Sequence, residues 1–281
     1  MSTTPTVSRQ DVDHAGPQQP RRTSSRSGLL IVNADDWGRT TETTDRIHAC
    51  VGQGAVSSVS AMVFMEDSQR AAATALEAGI DAGLHVNFTT PFSGMGCPTR
   101  LSMHQDALAR GLRRRRFAQI MFHPGLIPSF EYVVAAQVDE FSRLYGKEPD
   151  RFDGHHHMHL STNVLVQKLL PEGAIVRRSF SFQPGEKSWP NRLWRRWVDR
   201  ALARRHRLVD LFFSLAPLEP ARCPRIVSLA RQFVVEIETH PVEPLEYRFL
   251  MSGGLSLRAP DLRILPPSAV PWSSRTRVRG H

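Results

Sequence analysis

Four of the chain's twelve histidines fall within five residues, in Asp153-Gly154-His155-His156-His157-Met158-His159. Side chains alternate between faces along an extended strand. Asp153, His155, His157 and His159 are therefore expected on one face, with His156 and Met158 on the other. A carboxylate and three imidazoles side by side are costly to bury unless a metal ion or protons use their lone pairs. A hydrolytic metal ion takes about three protein ligands and leaves a position open, so partners are expected elsewhere in the chain.

Three other places supply them. Asp35 and Asp36 end a buried-looking run, and like charges so close resist joint ionisation unless a cation or shared proton compensates. A capping role at the following helix accounts for one carboxylate but not for two. His85 ends Gly83-Leu84-His85 and His240 lies in Thr239-His240-Pro241. A carboxylate with two histidines makes an O,N,N set suited to zinc and open to other divalent ions. The second carboxylate is then free to act as general base, and His240 as imidazolium can protonate a departing amine. Together these groups form a kit for amide or ester hydrolysis without a protein nucleophile.

The elements expected to position these groups alternate between strand and helix. Gly28 to Asn33 reads as a buried parallel strand, Thr43 to Gly52 as a helix and Ala55 to Val63 as a strand. Ser68 to Ala78 reads as an alanine-rich helix and Ile80 to Asn87 as a strand. This βαβαβ order implies a parallel sheet with helical crossovers, which places chemistry at the carboxyl ends of its strands. From Thr90 to Pro128 the pattern weakens: Pro91, Gly94, Gly96 and Pro98 read as a loop over the site and Arg113 to Arg116 as a solvated basic stretch. Phe130 to Tyr145 reads as a helix stopped by Gly146. A helix follows from Thr162 to Leu170, then a strand from Ala174 to Arg178, where Arg177 can support a carboxylate or meet substrate. Pro190 to Arg207 reads as a basic amphipathic helix with an apolar stripe of Trp194, Trp197, Val198, Ala201 and Leu202. Packing on the parent domain is its expected role; peripheral contact with an anionic membrane or a homodimer contact are the alternatives. Phe233 to Glu238 is the last expected strand.

In order and spacing, Asn33-Ala34-Asp35-Asp36-Trp37-Gly38, Gly83-Leu84-His85, the histidine segment and Thr239-His240-Pro241 resemble the YdjC-like carbohydrate deacetylases, over about residues 29 to 250. The resemblance implies a distorted (β/α) barrel of mostly parallel strands. It implies metal-dependent removal of an acetyl group from an N-acetylated sugar, oligosaccharide or glycolipid. In it Asp35 corresponds to the general base, Asp36, His85 and His155 to the ligands of a divalent ion such as Zn²⁺ or Mg²⁺, and His240 to an acid. Asp153, His157 and His159 would line or support the site. Trp37, Gly154 and Val242 stand where the family usually has Phe, Ser and Gly, and Trp37 would offer a broader stacking face to a sugar.

Composition bounds these readings. At 281 residues, 41% hydrophobic and 22% charged, the chain suits one catalytic domain over residues 29–265 with a disordered tail before it and a loose one at 266–281. The net charge of +9 and pI near 10.4 invite a nucleic-acid or lipid-binding reading without catalysis. Only Lys147, Lys168 and Lys187 of the 36 basic residues are lysines, an arginine skew that a coding bias can produce, and paired aspartates have no place in that reading. A metal-dependent phosphoesterase is the rival enzyme. Three widely spaced cysteines without a CxxC pair point to a reducing cytoplasm.

Overall fold

The computed structural model describes residues 28–113, 117–182, 188–258 and 260–272. The expectations for the N-terminal tail, for most of 266–281 and for Arg114, Arg115 and Arg116 lie outside the described residues. Among those described are seven strands: β1 (Leu29–Trp37), β2 (Ser58–Ala61), β3 (Ala82–Val86), β4 (Arg151–Gly154), β5 (Ile175–Val176), β6 (Leu211–Ser214) and β7 (Val234–Thr239). They form one all-parallel sheet in the order β5-β4-β3-β2-β1-β7-β6. The sheet curls until its edges meet. Val176 N donates to Arg207 O at 3.0 Å and Ser181 N to Phe212 O at 2.8 Å, so the architecture is a distorted α/β barrel.

Helices fill most of the crossovers: α1 (Thr41–Gly52), α2 (Ser68–Ala78), α3 (Thr99–Arg113), α4 (Ile127–Tyr145), α5 (Thr162–Gln167), α6 (Trp189–Ala203), α7 (Arg222–Ala230) and α8 (Pro244–Met251). Thr40 caps α1 by accepting from Thr43 N, which leaves both aspartates free for other work. Gly146, at φ 68°, ends α4 in the left-handed conformation that favours glycine. Between Thr90 and Pro128, where the sequence pattern weakens, lies α3, whose buried positions Leu101, Gln105, Leu108 and Leu112 follow helical spacing. Arg113, expected to be solvated, is exposed but donates to Thr89 O at 2.5 Å.

Period-two alternation sorts each strand between two environments. Leu30, Val32 and Ala34 of β1 and Val235 and Ile237 of β7 face the helices in the main core. Leu29, Ile31 and Val234 point the other way and join Val209, Phe212 and Val270 in a smaller cluster inside the barrel. Two residues further along the same faces come Asn33 and Glu236, both buried. The barrel interior thus changes from an apolar floor to a polar layer just below the strand ends. Arg151 crosses that layer, donating to Asn33 Oδ1 at 2.7 Å and to Val59 O at 2.6 Å. Gly83 gives it room: a Cβ there would lie 2.8 Å from the guanidinium Nε.

A candidate metal centre at the strand ends

Neighbouring residues of a regular strand face opposite sides, yet Asp35 and Asp36 both turn into the barrel mouth. The cause is a local irregularity. The β1–β2 register shifts between Ala34 and Trp37, and Asp36 sits at φ 69°, a left-handed conformation rare outside glycine. Such a bulge re-aims a side chain, and strain of this kind gathers at functional sites.

The two carboxylates meet different company. Asp36 Oδ2 accepts from Arg39 at 2.9 Å. Its Oδ1 lies 2.9 Å from His155 Nδ1 and 3.5 Å from His85 Nε2. Although the first distance would suit a hydrogen bond, neither ring N–H is aligned for donation, and this buried oxygen has no bonded partner; nor has His155 Nε2. One ligand atom from each of Asp36, His85 and His155 lies within 4.8 Å of the others. Two of these groups bring an unpartnered buried atom, Asp36 Oδ1 and His155 Nε2, and an oxygen with two imidazoles is a set that a divalent cation uses, so the residues fit one.

A second group, Asp35 with His85 and Asp153, is equally close but already carries its counter-charge. Arg177 clamps Asp35 with bonds of 2.7 Å to Oδ2 and 2.8 Å to Oδ1, and Asn33 Nδ2 donates to Oδ1 at 2.8 Å. Asp153 Oδ2 receives Ser60 Oγ and lies 2.9 Å from Arg177. His85 Nδ1 donates to Asp153 Oδ1 at 2.7 Å, fixing the ring so that Nε2 faces Asp36, the support that metal-binding histidines usually receive. Arg177 also donates to Glu236 at 2.8 Å and to Glu238 at 3.4 Å, and stacks over Phe212. One buried guanidinium therefore contacts four carboxylates.

These contacts set protonation. Burial pushes the Asp36 carboxyl up, but the nearby His155 and His85 reverse this and hold it well below the usual range. For Asp35 burial is likewise outweighed, chiefly by Arg177 and His85, and the net direction is down. Burial opposes a charge on His85, while the Asp35 and Asp153 carboxylates, the bond to Asp153 and the nearby Asp36 push it up to about 10. Burial lowers His155, which keeps it neutral and ready to donate a lone pair.

The histidine ladder does not form. β4 ends at Gly154, and His155 to Leu160 coil into a tight 3-10 segment with His156 and His157 at φ 53° and 56°, so the three alternate histidines separate. His155 joins Asp36. His157 is half-buried, with Nε2 3.6 Å from Glu238 and its ring edge-on to Phe180. His159 is fully buried and donates from Nε2 to Arg177 O at 3.0 Å; burial pushes it down to about 3. Gly154 is required by this turn, because a Cβ would stand 2.9 Å from His159 N. His156 turns outward beside Thr89, with Nδ1 and Oγ1 3.1 Å apart.

Trp37, expected to offer a stacking face to a sugar, is wholly buried and donates from Nε1 to Ala71 O at 3.2 Å. It is a core residue, because the bulge at Asp36 sends the next side chain toward α2. His240 follows β7, whose Thr239 pairs with Ala34 of β1, so it leaves the sheet level with Asp35. Glu246 holds that turn, accepting from Thr239 Oγ1 at 2.6 Å and from His240 N at 2.8 Å. The sequence reading passed over Glu236 and Glu238. Their signal was two acids at i and i+2 in an otherwise apolar strand, hence on one buried face.

Comparison with known proteins gives the chain a family. The family model described as YdjC-like protein matches residues 29–246. The chain is 33% identical over 135 residues to a chitooligosaccharide deacetylase of Enterobacter sp. (strain 638), covering 47% of this chain and 50% of the relative. It is 27% identical over 164 residues to a carbohydrate deacetylase of Danio rerio, covering 56% and 50%. The chain spans about half the length of the curated relatives it matches. A crystal structure of an Enterococcus faecalis V583 protein proposed to cleave cellobiose phosphate superposes with a TM-score of 0.58 at 18% identity, covering 85% of this chain and 97% of that one; it shares the fold. With the paired aspartates, His85, the histidine turn and His240 all inside the matched span, the chain belongs to the family of YdjC-like proteins.

Proposed function

We propose that the protein hydrolyses the acetamide of an N-acetylated carbohydrate, with a divalent cation held by Asp36, His85 and His155 and with Asp35 as general base. The observation that carries this reading is the unpartnered Asp36 Oδ1 facing two imidazoles, beside a second carboxylate that an arginine already neutralises. The deacetylase names of the relatives support the substrate class. When bound, the cation supplies Lewis acidity that polarises the acetyl carbonyl and lowers the pKa of water.

The chain's own groups do the rest. Asp35 Oδ1 accepts from both Asn33 and Arg177, which fills its lone pairs, whereas Oδ2 accepts only from Arg177. A carboxylate oxygen has two such positions, so Oδ2 keeps one for the proton of the attacking water. Arg177 keeps Asp35 ionised and fixed in place. The water oxygen bonds to the acetyl carbon as its proton passes to Asp35 Oδ2. The carbon–nitrogen bond then breaks, the nitrogen takes a proton from His240, and acetate and a free amine remain. Glu246 positions His240 through the backbone, while the half-buried His157 with Phe180 at its edge would meet the sugar.

The test is acetate release from N-acetylglucosamine and short chitooligosaccharides, with and without chelator. Release that disappears with chelator and returns on adding zinc or magnesium is expected. Undiminished release from metal-free protein, or phosphate release from phosphate esters with no acetate from any N-acetylated sugar, would contradict the reading.

A further inference from the structure

Helix α6 presents two faces of opposite use. Val198, Asp199 and Leu202 are buried against the barrel. Asp199, the helix's acid, is spent there, accepting from Arg178 at 2.6 Å and from Ser179 N at 3.0 Å. The outward face bears Trp189, Leu193 and Trp197 at spacings of one turn, 71%, 42% and 46% exposed. Arg192, Arg196 and Arg200 are exposed around that line, and among the described residues of the helix Asp199 is the one acid. Trp194 stacks on Trp197 at 4.9 Å between ring centroids, which holds the outer indole in place. Indoles left in water and ringed by cations of one sign are costly on a surface with nothing to meet.

We propose that this face of α6 seats the protein on an anionic lipid bilayer, with the indoles at headgroup level and the arginines on lipid phosphates. Tryptophan prefers that boundary, and an interfacial helix combines such an apolar line with a basic flank. Charge and apolar area point to the same partner. A nucleic acid would pair with the arginines but has no use for a leucine and two indoles lying about 12 Å end to end along a helix. A second copy docking through the same patch about a two-fold axis would press arginines on arginines. The described residues contain no helix long and apolar enough to cross a membrane, so the contact is a peripheral one. This inference does not rest on the deacetylase reading.

Flotation of the full chain with phosphatidylglycerol–phosphatidylcholine vesicles and with phosphatidylcholine vesicles tests it. Binding to the first alone, weakened by salt and accompanied by a blue shift of tryptophan emission, is expected. The triple variant R192Q/R196Q/R200Q should partition roughly a hundredfold less strongly, at about one elementary charge's contribution per arginine. The double variant Trp189→Ser with Trp197→Ser should lose both binding and blue shift, while its melting temperature stays that of the wild type, because these side chains are exposed. Failure of the full chain to bind anionic vesicles would overturn the proposal. So would wild-type binding by both variants, which would place the contact elsewhere. A dimer that the tryptophan changes dissociate, or duplex DNA binding that the arginine changes abolish without any vesicle binding, would assign the face to another partner and equally overturn it.

Discussion

At Asp36 Oδ1 the imidazoles of His155 and His85 approach to 2.9 and 3.5 Å, while both oxygens of Asp35 are engaged by Arg177. The proposed partition of labour between two adjacent aspartates rests on those neighbours. Asp35→Asn should keep the cation and lower acetate release by about 10²–10⁴-fold, the usual weight of a general base; metal analysis after dialysis beside an activity assay checks both halves. His85 links metal to pH. Its pKa is raised to about 10, so at neutral pH the metal-free chain holds a proton on His85 that a cation must displace. Metal affinity should therefore rise with pH, by at most about tenfold per unit, until that group has titrated; calorimetric titration at several pH values, in buffers of different ionisation enthalpy, should also detect the released proton. Residue types were legible in the sequence here, because paired aspartates and a histidine cluster need a counter-charge wherever they lie. The counter-charge itself was not. Arg177 meets Glu236 and Glu238 across 59 and 61 residues, and a separation of that kind leaves no local pattern.

Among the elements, α2 falls at Ser68–Ala78 and α4 stops at Gly146, as alanine content and a terminal glycine predict. Helices α3, α7 and α8 and strand β6 went unseen. The last three are short, and Pro91, Gly94, Gly96 and Pro98 ahead of α3 mask the spacing of its buried residues. The histidine segment shows the deeper limit. Alternation assigns one face only while the backbone stays extended, and left-handed conformations at His156 and His157 break the period. The same reasoning applies at β1, where a single bulge brings both aspartates to the mouth and sends Trp37 into the core. Close packing between strands makes a further claim at this scale. Gly83→Ala would set a Cβ against the side chain of Arg151, which cannot retreat without losing its bonds to Asn33 and Val59. A loss of about 1–3 kcal/mol is expected from such overpacking, measured by denaturant unfolding.

The described fold is a barrel with an apolar floor, a charged middle layer and a rim that carries the candidate site, and Arg177 ties the layers together. A buried guanidinium serving Asp35, Asp153, Glu236 and Glu238 cannot be removed without stranding carboxylates. Arg177→Met should cost about 3–5 kcal/mol, seen as a large fall in the unfolding midpoint, and should loosen Asp35 as well. The barrel class was legible from alternating strands and helices, and the strand-end location of the candidate site followed from it. The layering was not, because it depends on register between strands that the order of elements leaves open. Anomalous diffraction at the zinc edge, from crystals of the wild-type chain grown with zinc, tests the central claim most directly. One peak bonded to Asp36, His85 and His155, with Asp35 still clamped by Arg177, is the predicted result; a peak seated between Asp35 and Asp153, or none at the strand ends, would contradict the account.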